Sequence, residues 1–196
     1  TSMSSTTRWL TALNKAGRGS KIMKCDWSDA YKHLAVSLEG SKLQWFTWLG
    51  KAFKEQCLIF GSRSSAGLFD RLAKIVLYIV VCHSNIDPTN VCQYLDDVFA
   101  VHSSEPALQA FDYSFKQIAN QLGVKLAPRD DPDKSFAPCT AGTILGITYD
   151  TVDWTWGLPN EKLLRIYITS GQFRMHHLFH KMTFGPLLGK SCTSFH

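Results

Sequence analysis

Residues 91–102 read Val-Cys-Gln-Tyr-Leu-Asp-Asp-Val-Phe-Ala-Val-His, two short apolar runs that are separated only by a pair of acidic residues. The runs, 91–95 and 98–102, have the length and composition of β-strands, so they predict a tight hairpin with Asp96 and Asp97 at its turn. Two acidic residues between hydrophobic strands are unusual. Aspartate is nevertheless common in β-turns, so the spacing alone leaves both a plain polar turn and a functional site open.

The sequence around this hairpin predicts an alternation of strands and helices. Apolar residues at helical spacing predict helices over 64–83 and 104–122, one on each side of the hairpin. Residues 21–26 predict a strand that ends at Asp26. This order matches a β-α-β-β-α-β core of the ferredoxin-like type, in which two helices cover one face of an antiparallel sheet, so we expect an α+β protein.

Four further elements are predicted outside that core. They are a capped helix that ends before Gly17 and Gly19, a hairpin over 42–58 that turns at Gly50-Lys51, a second hairpin that joins 142–149 to 152–156 across Asp150-Thr151, and a helix capped by Asn160 that runs into a basic tail.

The composition is that of one globular domain. The 196 residues are 45% hydrophobic and 19% charged, which is enough to bury a core and too little charge for a disordered chain. The longest apolar run, 75–82, is too short to span a bilayer, so no membrane association is expected. The cysteines form no CxxC pair, and no signal peptide is evident, so we expect reduced thiols in an intracellular protein of the cytoplasm or nucleus.

Charge is distributed unevenly along the chain. Residues 1–54 contain nine basic and three acidic side chains, whereas residues 86–153 contain four basic and ten acidic ones. Basic ends around an acidic middle suggest a polyanionic partner and a cation site, although solvated faces of uneven charge explain the same pattern.

The acidic middle of the chain includes Asp96 and Asp97, and Asp26 is a third carboxylate that is predicted to lie near them. A strand that ends at Asp26 beside the 91–102 hairpin brings three carboxylates together. Carboxylates that repel one another in a partly desolvated site need divalent cations to stay ionised, and oxygen ligands favour Mg2+ or Mn2+. Two such ions about 3.5–4 Å apart support phosphoryl transfer.

Several sequence boxes then resemble one family. Tyr94-Leu-Asp-Asp97 resembles the YxDD box of reverse transcriptases, and Asp26-Trp-Ser-Asp-Ala-Tyr31 is similar to the family's upstream D-x-x-x-A-Y box. Residues 58–70 resemble its template- and nucleotide-contacting segment, and the boxes follow the family's order and spacing over residues 5–165. Three short segments most resemble the sequences of tyrosine-recombinase (DIRS-like) retrotransposons. They are Phe46-x-Trp48-x-Gly50-Lys51, Phe60-Gly61-x-Arg63-Ser64 and Leu187-Leu-Gly-Lys190.

The resemblance implies a polymerase palm with a fingers hairpin and the start of a thumb or connection. Residues 1–165 would form the palm and partial fingers, and residues 166–196 a basic tail with a truncated thumb. The implied activity is RNA-directed DNA synthesis by a fragment of a retrotransposon polyprotein, whose remainder would carry RNase H and recombinase domains. The implied partners are dNTPs and an RNA or DNA template with its primer.

The family's catalytic roles carry over to matching positions. Asp26, Asp96 and Asp97 would hold two Mg2+ ions, for which Mn2+ can substitute, and the Trp27 carbonyl would be an additional ligand. Lys134 occupies the position of the family's lysine and would act as a general acid toward the departing pyrophosphate.

The same resemblance assigns substrate contacts. Backbone N–H groups of Ser28, Asp29 and Ala30 would bind the triphosphate, and Tyr31 would be the steric gate that excludes a 2′-hydroxyl. Phe60 and Gly61 would pack beside nucleotide and template, and Arg63 would contact template phosphate. Ile144-Leu-Gly-Ile147 resembles the family's primer-grip hairpin, so Leu145 and Gly146 would position the primer end. Ile59 departs from the pattern, because proline is usual there.

Two other functions are compatible with these residues. One is a catalytically incompetent or domesticated palm fragment that binds nucleic acid or a partner protein, and the other is a nucleotide cyclase or related palm-type phosphotransferase. His176-His177-x-x-His180 suggests either a metal site or, more simply, a polar helix face.

Overall fold

The computed structural model describes residues 3–170 and 182–183, with side chains described from 6 to 165 and at 183. The histidine cluster at 176–180 and the Leu187–Lys190 phrase lie outside the described residues. The helices are α1 (Met3–Ala16), α2 (Leu38–Ser41), α3 (Ser65–Ser84), α4 (Glu105–Gln121) and α5 (Asn160–Ser170), with short 3-10 turns at Ala30–His33 and Pro88–Asn90. The strands are β1 (Lys21–Asp26), β2 (Trp45–Trp48), β3 (Lys51–Lys54), β4 (Val91–Tyr94), β5 (Asp97–His102), β6 (Phe136–Cys139), β7 (Ala141–Ile144), β8 (Ile147–Asp150), β9 (Thr155–Gly157) and β10 (Met182–Thr183).

The central sheet has the strand order β4-β5-β1-β6, and each of its neighbouring pairs is antiparallel. With α3 between β1 and β4, and α4 between β5 and β6, this is the predicted β-α-β-β-α-β arrangement of an α+β protein. None of the described helices is long and apolar enough to cross a bilayer.

Alternation along β1 and β5 sends successive side chains to opposite faces of this sheet. Met23 and Val98 lie on the face that packs against Phe69 of α3 and Phe111 of α4. Ile22, Phe99 and Val101 lie on the other face, which Trp9 and Leu13 of α1 cover. The sheet is therefore buried on both sides, because α1 occupies the face opposite to the two predicted helices.

A second sheet, β10-β9-β8-β7, corrects the prediction for residues 142–156. The expected single strand over 142–149 is two strands, since the chain reverses at Leu145-Gly146, where both residues have positive φ (51° and 76°). The expected link from 142–149 to 152–156 exists as the β8–β9 pairing. Thr151, predicted as a turn residue, is buried, and its hydroxyl donates to the Ser20 carbonyl at 2.6 Å.

Candidate functional site

The three predicted carboxylates lie on neighbouring strands in the centre of the main sheet. In the antiparallel register of β1 and β5, Asp26 is directly opposite Asp97, so both side chains belong to the same face. Asp96 precedes Asp97 in the turn from β4, and its carbonyl accepts the backbone N–H of Trp27 at 3.2 Å. The structure thus brings Asp26, Asp96 and Asp97 together at one end of β1 and β5, as the sequence predicts.

The turn that carries Asp96 has an unusual backbone. Tyr94 and Asp97 pair across the hairpin, which leaves a two-residue loop whose first residue, Leu95, has φ 53°. Positive φ at such a position is normally taken by glycine. The Gln93 side chain donates its amide N–H to the Leu95 carbonyl at 2.9 Å. This bond helps to hold the two-residue loop in that conformation.

Burial is the main reason why Asp26 and Asp97 bind protons more tightly than free aspartate does. The pKa of Asp26 is raised from 3.8 to about 6, mainly because the side chain is partly removed from water and further because Asp96 and Asp97 repel its charge. Burial likewise raises the pKa of Asp97. Lys24 and Lys134 act in the opposite direction on Asp26, but they do not cancel the burial and repulsion.

Lys24 is a member of this site that the sequence reasoning missed. Its side chain is only 9% exposed, and its Nζ lies 3.0 Å from Asp97 Oδ1 and donates to the Asp133 carbonyl at 2.8 Å. Lys24 shares one face of β1 with buried Ile22 and with Asp26, each of which is two residues away. A lysine at a buried strand position requires a partner of opposite charge. The presence of Lys24 within the apolar part of this strand was therefore a sequence feature that could have predicted its pairing with an acidic residue.

Residues 125–135, between α4 and β6, fix the end of β1. The N–H of Ala127 donates to the Asp26 carbonyl at 2.8 Å, and the Asp26 N–H donates to Ser135 Oγ at 3.1 Å. Arg129, from the same segment, pairs with Asp112 of α4. The Asp26 backbone is therefore held from both directions by one segment, which no sequence motif indicated.

This segment also affects the expected triphosphate contact. The Ser28 N–H donates to the Lys125 carbonyl at 2.9 Å, so it is already engaged and is not free to bind phosphate as predicted. Asp29 has φ 54°, and Ala30 begins a short 3-10 turn. Lys134, exposed beside Ser135, is close enough to the carboxylates for its charge to lower the pKa of Asp26.

An aromatic pair stands where the nucleotide contacts are expected. Tyr31 lies between Phe60 and Phe69, with ring centroids 4.8 and 5.7 Å away, respectively. Phe69 is buried in the core, whereas Phe60 is 84% exposed. Gly61 has φ +83°, and Arg63 is exposed just before α3. The structure thus brings Tyr31 and Phe60 together and leaves one of the two rings open to solvent.

Leu145 and Gly146 occupy the tip of the β7–β8 hairpin in the second sheet. Leu145 packs against the core that includes Trp9 and Ile22. The predicted primer-grip residues thus form a tight hairpin turn on a different sheet from the carboxylates. Lys162 of α5 lies so close to Gly146 that a Cβ there would collide with its Nζ.

The three carboxylates offer the oxygen atoms that a divalent cation such as Mg2+ prefers. Asp26, Asp96 and Asp97 supply carboxylate oxygens from adjacent strands, and the raised pKa of Asp26 reflects negative charge that a cation would neutralise. Within the described residues, however, no three or more His, Cys, Asp or Glu side chains already converge on one metal position. Asp97 is turned toward Lys24 instead. The three carboxylates are therefore adjacent without being arranged around one metal position.

No protein-family model and no curated protein matches the sequence. Solved structures of foamy virus enzymes, in contrast, are similar to this chain. A foamy viral protease-reverse transcriptase dRH in complex with double-stranded DNA matches with a TM-score of 0.62 and 18% identity, over 79% of this chain and 25% of that one. The foamy viral protease-reverse transcriptase in complex with an RNA/DNA hybrid matches with a TM-score of 0.61 and 23% identity, over 80% of this chain and 20% of that one.

These similarities show the fold. The chain has the α+β architecture of a reverse transcriptase domain, with antiparallel sheets and helices that correspond to a palm and part of the fingers. It spans 25% and 20% of the length of the two foamy virus proteins.

Proposed function

We propose that the chain is the palm and partial fingers of an RNA-directed DNA polymerase, which adds dNTPs to a primer by phosphoryl transfer. The observation that carries this proposal is the placement of Asp26 opposite Asp97, beside Asp96, at the end of two central strands. The reverse transcriptase-like fold supports the same reaction class at a coarse level.

Asp26, Asp96 and Asp97 are the residues that would hold Mg2+, or Mn2+ in its place, with the Trp27 carbonyl as an additional ligand. Two bound ions would activate the primer hydroxyl and stabilise the leaving pyrophosphate. Lys24 would then have to release the Asp97 oxygen that it now contacts at 3.0 Å. Lys134 is exposed and near the carboxylates, and it would donate a proton to, or screen, the departing pyrophosphate.

The remaining substrate contacts are proposed for residues around the aromatic pair Tyr31 and Phe60 and for the β7–β8 turn. Tyr31, held between Phe60 and Phe69, would exclude a 2′-hydroxyl by the bulk of its ring. Backbone N–H groups of Asp29 and Ala30 would bind the triphosphate without Ser28, whose N–H is engaged. Phe60, Gly61 and Arg63 would contact nucleotide and template, and Leu145 with Gly146 would position the primer end.

The parent protein is proposed from the motif resemblance. Residues 1–165 would be the palm and partial fingers of a DIRS-like retrotransposon polyprotein, and residues 166–196 the start of its thumb or connection. A template with its primer would be the partner. The foamy virus proteins were solved with double-stranded DNA and with an RNA/DNA hybrid, which supports a nucleic-acid partner for this fold.

A second candidate is a palm-like fragment that binds nucleic acid without polymerising. It is favoured by the ion pair between Lys24 and Asp97, and by the absence of a converged metal group among the described residues. Primer extension on an RNA template with Mg2+ or Mn2+ separates the two candidates. Binding that weakens steeply with salt, without extension, would support the second.

Asp96→Asn is the decisive variant for the first candidate. It should abolish dNTP incorporation and leave the melting temperature nearly unchanged, whereas Asp130→Asn, at an exposed acidic position outside the carboxylate site, should extend the primer like the wild type. Normal extension by Asp96→Asn would refute the proposed role.

Tyr31→Ala tests the steric gate. Removal of the ring should raise the use of NTPs relative to dNTPs, because the space that a 2′-hydroxyl needs is then open. Tyr78→Ala, which removes an exposed ring on α3, is the matched control. Unchanged dNTP selectivity in Tyr31→Ala would contradict the assignment.

A further inference from the structure

The β2–β3 hairpin is an unusual surface. It forms a two-stranded sheet of its own, and among the described strands it pairs with none but itself. Its aromatic side chains are exposed, with Trp45 at 61% and Trp48 at 66%. Tryptophan is seldom left in water to this extent, so exposed rings on a projecting hairpin mark an interaction surface.

Lysines accompany these rings in a regular manner. In the β2–β3 register, Lys54 is directly opposite Trp45 and Lys51 is directly opposite Trp48. The Nζ of Lys54 lies 6.0 Å from the centroid of the Trp45 ring. Each tryptophan thus shares its face of the hairpin with one cationic side chain, and the two pairs lie on opposite faces because Trp45 and Trp48 are three residues apart on β2.

The charge of the hairpin is entirely positive. Residues 42–54 contain three lysines and no acidic residue. Lys42 pairs with Glu39 at 2.8 Å, whereas Lys51 and Lys54 make no salt bridge in the part of the chain that the structure describes. Two cations are therefore left beside exposed aromatic faces, which calls for a partner that offers anions and flat rings together.

Phe46 and Phe53 add rigidity to this surface. Their rings stack across the hairpin with centroids 5.5 Å apart and planes 19° apart. The Leu49-Gly50 turn has positive φ at both residues (48° and 70°), which matches the twist of a tight hairpin. The rings and lysines are therefore presented by a defined hairpin rather than by an irregular loop.

We propose that the β2–β3 hairpin binds single-stranded nucleic acid, with bases stacked on Trp45 and Trp48 and phosphates paired to Lys51 and Lys54. Single strands expose the base faces that a duplex buries in its own stack, and alternating aromatic and basic side chains are the usual means of binding them. The proposal takes its class of partner from the proposed function, but it concerns a surface outside the carboxylate site.

The test is fluorescence anisotropy of the 196-residue chain with labelled single strands of oligo-dT and oligo-rU. Trp45→Ala with Trp48→Ala should weaken binding by roughly 30-fold or more, because each base stacked on an aromatic ring contributes at least about fivefold and two such contacts are lost. Replacement of both by Phe should restore most of it. Tyr78→Ala and Tyr113→Ala, which remove exposed rings elsewhere, should bind like the wild type.

Lys51→Gln with Lys54→Gln tests the charged half of the surface. It should lower the slope of log affinity against log salt by about 1.4, which is the expected loss for two phosphate contacts on a single strand. Circular dichroism melting of all variants checks the fold, and an exposed hairpin should tolerate these changes within ~2 °C.

Three results would overturn the proposal. They are unchanged oligonucleotide affinity in the double tryptophan variant, tryptophan-dependent binding to anionic vesicles but not to oligonucleotides, and tryptophan-dependent self-association in size-exclusion chromatography without oligonucleotide binding. Asp96→Asn keeps the two hypotheses apart. It should bind single strands normally even when it cannot extend a primer, so loss of extension and loss of hairpin binding are separate failures.

Discussion

Replacement of Asp26 by Asn should stabilise the protein when divalent cations are absent. In the folded state Asp26 binds its proton more tightly than in the unfolded chain, since burial and the charges of Asp96 and Asp97 raise its pKa from 3.8 to about 6. An acid with a raised folded pKa lowers stability as it ionises, so wild-type stability should fall as pH rises from about 4 to about 6. Asparagine has no charge to lose.

The size of the effect follows from the shift. About two pKa units correspond to ~3 kcal/mol at neutral pH if the whole difference reached the folding equilibrium. Asp26 is only partly buried, and solvent screens its charge, so we expect ~1–1.5 kcal/mol of stabilisation. For a chain of this length that corresponds to a rise in melting temperature of roughly 2–6 °C.

The assay is thermal melting in EDTA at pH 4 and pH 7, with Asp130→Asn as the control for loss of one exposed carboxylate. The melting temperature of Asp26→Asn should exceed that of the wild type at pH 7 and equal it at pH 4. Added Mg2+ should then raise the melting temperature of the wild type more than that of Asp26→Asn, because the variant lacks a proposed ligand. An equal or lower melting temperature for Asp26→Asn at pH 7, or the same gain at both pH values, would refute the reasoning.

Three further variants test neighbouring contacts by urea denaturation. Lys24→Met should destabilise the protein by about 2–4 kcal/mol, because it leaves Asp97 without its 3.0 Å partner. Asp97→Asn in the same chain should recover most of this loss of stability. If the effects of the two changes were fully additive, the pairing would be contradicted. Ser135→Ala should cost about 1–2 kcal/mol, since it removes the acceptor of the Asp26 N–H, and a cost below the error would show that water replaces that hydroxyl. Gly142→Ala should cost about 1–3 kcal/mol, because the new Cβ would lie 2.6 Å from the Phe136 ring, and a neutral result would mean that the ring moves aside freely.

The central sheet could be predicted because its pattern is strong. The two long helices and the strands at 21–26 and 91–102 were placed to within about two residues, since apolar periodicity follows directly from burial on a sheet. The apolar pattern did not mark the strand boundary at Leu145-Gly146 because leucine rarely adopts positive φ, although the resemblance of residues 144–147 to a primer-grip hairpin places a turn there. Residue type alone therefore does not mark a turn in which an apolar side chain takes a glycine-like backbone conformation.

The carboxylate site could be predicted in its acidic members but not in its supports. Strand order alone placed Asp26 beside Asp96 and Asp97. The contacts that hold Asp26 run through backbone groups of residues 125–135, and backbone hydrogen bonds leave no trace in side-chain identity. The same limit applies to Ser28, whose N–H was assigned to phosphate but is bonded to Lys125.

Lys24 explains how the acidic centre can fold without a metal. Three adjacent carboxylates would strongly repel one another if none were neutralised, yet Lys24 pairs with Asp97 inside the sheet, and Lys134 offsets part of the remaining charge on Asp26. We therefore expect folding and metal binding to be separable here, unlike in proteins whose only stable fold contains the metal. A metal-free chain should remain folded and inactive, so a polymerase and a non-catalytic binding module would share one stable structure. We expect the two to differ in whether a divalent cation displaces Lys24 from Asp97.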